Sequence, residues 1–493
     1  MQRLAEKSRQ DACATSKSVN NYDACIYRSY MLDFLCVSVS ILVVNRKAGC
    51  GAVVNGSGRF PVAVFLGGMC LRRPGGRFSG DKSAMSWSLE EKIVLYASQL
   101  SVGGQHQRIL ETLLADRDAV DWDHLFKITV REGTTGLVYK TIKRMGSAYT
   151  SGIPCMEALA RVYSSTVFKN TLLIEEFKHV LFTLESRHVP IIVLRGYALI
   201  YWIYKDPGLR PINDIDILIR EKDLSIVKDV LSKAGFHSPA GHPLLSIKGK
   251  VVIDIHLDIL GSSRIQSRLF GFDETAARWW EHCQSISSYI NDGGGAADQL
   301  SYRSVFVLKP HDFVIMCAMH LMKHSFERLL WFVDIKEIIE HERPCFAWDG
   351  LADRARYLEL QRPLYYALHY IKTLYGTDVP QLLLDDLKRA CNTFDYLMIG
   401  LLLENKKMPR WGDIAYLFNI KDTRQKIRYL RETYFPRREV MSQVFDFSNP
   451  FMVYFLYVFR AGQVIYAGSR GCVRLLLQSF VLWRRNGNTR FPG

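Results

Sequence analysis

Three aspartates of this chain lie at positions that suit divalent-cation chemistry. Asp214 and Asp216 are two residues apart in the run DIDILI, and Asp254 lies inside the run VIDIH. Residues two apart on a β-strand face the same side, so the first pair is expected to present two carboxylates together. Mg²⁺ prefers oxygen ligands and is commonly held by one or two carboxylates plus substrate phosphates. Three acids converging on a small sheet would repel one another without a cation, which predicts a metal site.

A possible phosphate-binding turn precedes the aspartates. A short β-rich run ends at Leu194, and Arg195 and Gly196 separate it from an apolar helical stretch. Backbone N–H groups at such a turn, together with the positive end of a helix dipole, favour a phosphate. Arg195 and Arg210 are the candidate cations for a triphosphate, because both are close in sequence to the turn and the aspartates. The alternative for both arginines is a structural ion pair with Asp206 or Asp214.

Four further polar residues are candidates for the acceptor side of such a site. His256 follows Asp254 by two residues, so it is expected either to hydrogen-bond the acids or to be a buried structural histidine. His320 and His324 are spaced i, i+4 on a predicted helix, with Arg328 one turn further along. No glutamate accompanies the two histidines in an HExxH arrangement, so a contribution to acceptor recognition is a better interpretation than zinc binding.

The elements that must position these residues follow from periodicity. A capping box at Ser88 and Glu91 opens a helical entry region, 88–187. Residues 188–308 then read as a small α/β core, because short β-rich runs alternate there with helical stretches. A helical C-terminal domain is predicted for 309–470, a poorly ordered extension for 1–87 and a basic tail for 471–493. The expected strands are 189–194, 214–219, 244–248, 251–257 and 304–308.

Three runs of sequence carry a resemblance to a known family. LRGYALI from Leu194, YKDPGLRPINDIDILI from Tyr204 and IDIH from Ile253 resemble the uncharacterised nucleotidyltransferase family of the DNA-polymerase-β-like superfamily. The similarity extends to LKPHDF from Leu308 and covers about residues 88–460. It also includes the set His320, His324, Arg328, Trp331 and Asp334. The resemblance implies an α+β protein in which a small mixed β-sheet nucleotidyltransferase core is flanked by helical N- and C-terminal regions.

The family resemblance also implies an activity. It is Mg²⁺-dependent transfer of a nucleotidyl group from an NTP, ATP included, to an unidentified small-molecule, peptide or protein acceptor. By the same analogy Asp214 and Asp216 are ligands of the two catalytic metals, and Asp254 binds the second metal and helps to activate the acceptor hydroxyl. Gly196 would cradle the nucleotide phosphates, with Arg195 and Arg210 as nucleotide-binding residues.

One position departs from the superfamily pattern and keeps two alternatives open. Tyr197 follows Gly196 where many members have Gly-Ser or Gly-Gly, so the usual hydroxyl contact with phosphate is missing. The first alternative is a kinase-like phosphoryl transferase acting on a peptide or natural product. The second is a non-catalytic binding protein that kept the fold.

The net charge of +15 and the eleven cysteines bear on partners and location. The basic excess belongs to the two ends of the chain, since residues 89–404 carry 36 basic and 39 acidic side chains. A nucleic-acid acceptor is therefore allowed but not required by the residues.

The cysteines show no CxxC spacing and predict free thiols in the cytoplasm. No transmembrane span is expected, although the apolar region 450–471, with arginines around it, allows a peripheral membrane contact.

Overall fold

The computed structural model describes residues 87–239, 244–259, 272–287, 302–403 and 451–459, with seven single residues between 423 and 441. The expected N-terminal extension, apart from Trp87, and the expected basic tail lie outside the described residues. The helix expected near 422–433 lies largely outside them too. The helix expected at 450–466 is described only as far as 459, and residues 452–459 are helical.

The entry region is helical, as its periodicity predicts. Ser88 caps the first helix, where its hydroxyl accepts from the backbone N–H of Glu91 and its own N–H donates to the Glu91 carboxylate, which confirms the capping box. The third helix is capped by Asp121 and ends at Gly133, whose φ of 73° suits glycine. The helices are α1 Leu89–Ala97, α2 Gly104–Leu113, α3 Trp122–Glu132, α4 Thr135–Arg144, α5 Ser147–Thr150 and α6 Met156–Ser186.

The strands of the described residues form a six-stranded mixed sheet. Its strands are β1 Ile191–Val193, β2 Ile215–Ile219, β3 Leu245–Lys248, β4 Val251–His256, β5 Cys283–Ser285 and β6 Val305–Leu308, in the order β3-β4-β2-β1-β6-β5. β2 pairs in parallel with β4 and antiparallel with β1, and β1 pairs in parallel with β6. All residues of β1 and β2 are buried: β1 is a continuous apolar run, and β2 is apolar except for the buried Asp216. The strand β5 was not expected from the sequence.

Helices connect and cover the sheet. α7 Arg195–Leu199 follows β1 and continues as a π-helical turn, Ile200–Tyr204, before the loop to β2. α8 Leu224–Lys233 follows β2, and α9 Phe272–Trp280 precedes β5. α6 buries one apolar face that includes Leu173, Phe177 and Leu181. The α+β class predicted from the sequence, a mixed sheet with helical flanks, is therefore confirmed.

The helical region after β6 contains more breaks than its periodicity indicates. The single helix expected from Pro310 to Glu340 is two helices, α10 Pro310–Lys323 and α11 Leu329–Glu342, because Ser325 and Phe326 adopt φ values of 57° and 58°. The helix expected at 351–376 is likewise broken at Glu359, which has φ 58°. The remaining helices are α12 Trp348–Tyr357, α13 Gln361–Tyr375, α14 Gln381–Lys388 and α15 Thr393–Leu403.

Candidate active site

Two of the three expected aspartates meet on adjacent parallel strands. Asp216 on β2 is in register with Asp254 on β4. One ligand atom each from Asp216, Asp254 and His256 lies within 4.8 Å of the others, and this is the group of possible metal ligands that the described residues form. Asp214 directly precedes β2 and does not belong to this group, although its charge acts on Arg195.

His256 hydrogen-bonds one of these carboxylates and lies close to the other. Its Nε2 lies 2.9 Å from Oδ1 of Asp216 and 3.5 Å from Oδ2 of Asp254. A carboxylate only accepts, so Nε2 carries the proton and donates it. The other ring nitrogen, Nδ1, is buried and has no hydrogen-bond partner in the described part of the chain. With Nε2–H donated to Asp216, the oxygen atoms of Asp216 and Asp254 are the ligands that this arrangement offers.

Arg195 supplies the positive charge beside the acids. Its guanidinium hydrogen-bonds the carboxylate of Asp216 and Nδ1 of His320, and one of its nitrogens lies 3.4 Å from Nε2 of His256. Arg195 has φ 44°, a left-handed conformation that is uncommon for a side-chain-bearing residue. Arg195 thus forms an ion pair, but with Asp216 and not with the expected Asp206 or Asp214.

The electrostatics keep Asp216 ionised. Burial by itself raises the pKa of Asp216, but the charge of Arg195 and the hydrogen bond from His256 outweigh it and hold this pKa well below its ordinary value. Burial acts to lower the pKa of Arg195, while the charges of Asp216, Asp214 and Asp254 raise it. Both groups are therefore charged over the whole physiological pH range.

The acceptor-side candidates form an aromatic cluster next to Arg195. The ring of His320 is 4.4 Å from that of His324 and 4.8 Å from that of Trp331, and the Arg328 guanidinium lies 5.7 Å from the Trp331 ring centre. Burial and the charge of Arg195 lower the pKa of His320 well below 6.5, so its neutral ring accepts from Arg195. Neither histidine belongs to the candidate metal group of the described residues.

The backbone at Gly196 lies close to the guanidinium of Arg210. A Cβ at Gly196 would lie 2.7 Å from Nη1 of Arg210, so glycine is required there by close approach and not by a left-handed φ. Arg210 is buried and pairs with Asp334, with Nε 3.0 Å from Oδ1 and Nη2 2.8 Å from Oδ2, while the Tyr204 hydroxyl donates to the same carboxylate. Its partner is thus Asp334, not the expected Asp206 or Asp214, and its phosphate role stays a prediction.

Tyr197 points away from the turn that it was expected to alter. Its side chain is 2% exposed, and its ring lies 4.9 Å from that of Phe177 in an edge-on contact. This residue therefore belongs to the core between α7 and α6, and its hydroxyl does not replace the missing serine.

Asn170 is a site-supporting residue that sequence reasoning missed. It lies wholly buried on α6, where its Nδ2 donates to the carbonyl oxygens of Pro207 (2.6 Å) and Arg210 (2.8 Å), and its Oδ1 accepts from the N–H of Ile212 (3.2 Å). These bonds fix the loop that leads to Asp214. An asparagine at helical spacing within the apolar stripe of α6 was the signal that could have identified it.

The sequence predicted no transmembrane span but allowed a peripheral membrane contact near the C-terminus. Within the described parts of the chain, no helix combines the length and hydropathy needed to cross a bilayer. The region expected to allow a peripheral contact, 450–471, is described only at 451–459, where Phe451, Tyr454 and Phe455 are exposed.

The donor set fits a hard divalent cation. Asp216 and Asp254 present carboxylate oxygens from adjacent strands, Asp216 is held ionised, and a histidine donor orients it. Sequence comparison with curated proteins and with solved structures found no match. A family model described as uncharacterised nucleotidyltransferase matches residues 118–376, which include the Gly196 turn, both aspartate strands and the aromatic cluster. Because this match spans more than half of the chain, the protein belongs to the uncharacterised nucleotidyltransferase family.

Proposed function

We propose that this protein is a Mg²⁺-dependent nucleotidyltransferase that moves a nucleotidyl group from an NTP, such as ATP, to a hydroxyl of a small-molecule, peptide or protein acceptor. The observation that carries the proposal is the register of Asp216 against Asp254 on parallel strands, within a chain that belongs to a nucleotidyltransferase family. A nucleic-acid acceptor is compatible with the residues but is not required by them.

Asp216 and Asp254 would hold the cations, with Asp214 at the entrance to β2 as the further ligand of a two-metal site. The chemistry that Mg²⁺ would supply there is a lowered pKa of the attacking hydroxyl and neutralisation of charge on the transferred phosphate and the leaving pyrophosphate. Asp254 is only partly buried, so its carboxylate is the one placed to meet the acceptor hydroxyl. His256 orients Asp216 by donating to it.

The basic residues and the aromatic cluster complete the assignment. Arg195 is the guanidinium nearest the acids, and we assign it, with the backbone at Gly196, to the nucleotide phosphates. Arg210 would support this turn, because its guanidinium occupies the space that a Cβ at Gly196 would need. The cluster of His320, His324, Arg328 and Trp331 adjoins Arg195 and is assigned to the acceptor side.

The activity is tested by incubating the protein with each NTP, Mg²⁺ and cell extract, followed by mass analysis. Attack at the α-phosphate adds a whole nucleotide to the acceptor, whereas kinase-like transfer of the γ-phosphoryl group adds one phosphate. Asp216→Asn and Asp254→Asn are expected to abolish the mass addition. Asp229→Asn is the matched control, because Asp229 is an exposed residue of α8 that pairs with Arg187 and Lys233. Nucleotide addition that survives in Asp216→Asn refutes the assignment.

A non-catalytic binding protein is the second candidate, and the contact between Arg195 and Asp216 favours it. An arginine bonded to the central carboxylate supplies from within the chain the positive charge that a catalytic metal would bring. Calorimetric titration with Mg²⁺ and NTPs separates the two functions. Absence of NTP binding at millimolar concentration in the wild-type protein supports the non-catalytic candidate.

We also propose a cytoplasmic location. The described cysteines Cys155, Cys283, Cys317, Cys345 and Cys391 are all free, which fits a reducing compartment.

A further inference from the structure

The two arginines expected to bind the triphosphate are both engaged within the fold. Arg210 is buried against Asp334, so its charge is already balanced. Arg195 bonds Asp216 and His320, so only its remaining N–H groups can contact the phosphates to which it is assigned. A nucleotide brings three phosphates to a site whose own ligands are acidic, and the β- and γ-phosphates then need a cation that is free to meet solvent.

Lys169 provides such a cation on a neighbouring element. It lies on α6 with an exposed side chain, and its Nζ is 3.3 Å from Oδ1 of Asn213, the residue directly before Asp214. Although the side chain reaches solvent, partial desolvation by neighbouring protein atoms lowers the pKa of Lys169, and the like charge of Lys250 adds to this shift while the charge of Asp214 opposes it. Lys169 therefore lies at the Asp214 end of the acidic cluster formed by Asp214, Asp216 and Asp254, and the charge of Lys250 acts at the same place.

The helical turn that carries Lys169 is bonded to the loop that leads to the aspartates. Asn170, the next residue on α6, bonds three backbone groups of the loop from Pro207 to Ile212. The same turn of helix thus fixes the loop and carries the lysine. Lys169 is consequently held beside Asn213 by the position of its helix and by one hydrogen bond, whereas Arg195 and Arg210 are held by ion pairs.

We propose that Lys169 binds the β- and γ-phosphates of the nucleotide at the edge of the acidic cluster. A lysine ammonium is a compact point charge with three donors, and this suits a polyphosphate whose orientation changes when pyrophosphate leaves. The proposal rests on the proposed nucleotidyl transfer for its biological meaning. The site itself would bind polyphosphate through Lys169, a residue that no sequence motif singled out.

Calorimetric titration with Mg²⁺-tripolyphosphate tests this directly, because that probe carries the phosphate chain without a base or sugar. Mg²⁺-ATP is titrated in parallel. Lys169→Met is expected to weaken both probes about tenfold, the loss of one charge-assisted contact, and Lys169→Arg to retain most of the affinity. Lys178→Met is the matched control on the same helix, since Lys178 is paired with Glu175. It is expected to bind both probes as the wild-type protein does.

The possible outcomes separate this proposal from the proposed function. Wild-type affinity in Lys169→Met, equal weakening in Lys178→Met, or no tripolyphosphate binding by the wild-type protein overturns the role of Lys169. Tripolyphosphate binding that depends on Lys169, in a protein that transfers no nucleotide, supports Lys169 and refutes the transferase. Nucleotide transfer by a protein whose affinity for both probes is the same with and without Lys169 supports the transferase and overturns the role of Lys169.

Discussion

His256 and Asp216 are joined across strands β4 and β2 by a hydrogen bond of 2.9 Å from Nε2 to Oδ1. The bond lies at the centre of the acidic cluster, where Asp216 is buried and ionised. A donor to a buried carboxylate both orients it and lowers the cost of its charge. His256 is therefore a positioning residue for Asp216, and its removal should affect the site more than the fold.

His256→Leu is expected to reduce nucleotide transfer by about 10- to 100-fold, because Asp216 loses the donor that orients it. Turnover and Mn²⁺ affinity are measured together, since a disoriented ligand weakens both. The exposed His237, changed to Leu, is the control. If both variants keep the wild-type turnover and Mn²⁺ affinity, His256 has no part in positioning Asp216.

The local features of this fold could be predicted because they depend on residues close in sequence. The capping box at Ser88 needs only Glu91, and the runs around Asp216 and Asp254 alternate or continue as strands do. The sequence also predicted that the three aspartates converge on one small sheet, whereas the parallel direction and the register of these two strands are findings of the structure.

The long-range features could not be predicted from local patterns. Asp334 binds Arg210 from 124 residues further along the chain, and nothing in either neighbourhood indicates that pairing. The break between α10 and α11 falls at Ser325 and Phe326, with no glycine or proline to mark it. Both outcomes are decided by tertiary packing around the sheet, which overrides helical periodicity.

Arg210→Met is expected to destabilise the protein by about 3–5 kcal/mol, because it leaves the carboxylate of Asp334 buried without its cation. Equilibrium urea unfolding measures the free energy of unfolding. The double variant Arg210→Met with Asp334→Leu should recover much of the loss, since it buries neither charge. A double variant as unstable as the sum of the two single variants would show that the pair is not coupled.

Gly196→Ala is expected to destabilise the fold by about 1–3 kcal/mol, since the added Cβ would lie 2.7 Å from Nη1 of the buried Arg210. Gly400, within α15, is the matched control because a Cβ there meets nothing within 4 Å. Gly400→Ala is expected to stabilise its helix by about 0.5–1 kcal/mol. Unfolding free energies that change equally in the two variants contradict the close contact at Gly196.

His320 should make stability depend on pH below 6.5. Burial and the charges of Arg195, His324 and Lys323 lower its pKa in the folded protein well below 6.5, so between these two values the unfolded chain binds more protons than the folded one. Stability is therefore fully present above pH 6.5 and falls as the pH falls towards the folded pKa. The glutamine of His320→Gln does not titrate, so the stability of this variant should fall less steeply with falling pH. The difference between the two slopes is expected to reach about 1.4 kcal/mol per pH unit. Urea unfolding at pH 7.5, 6.5 and 5.5 measures both slopes, and the other histidines cancel because both proteins retain them. Parallel curves for the two proteins would show that His320 is not held neutral beside Arg195.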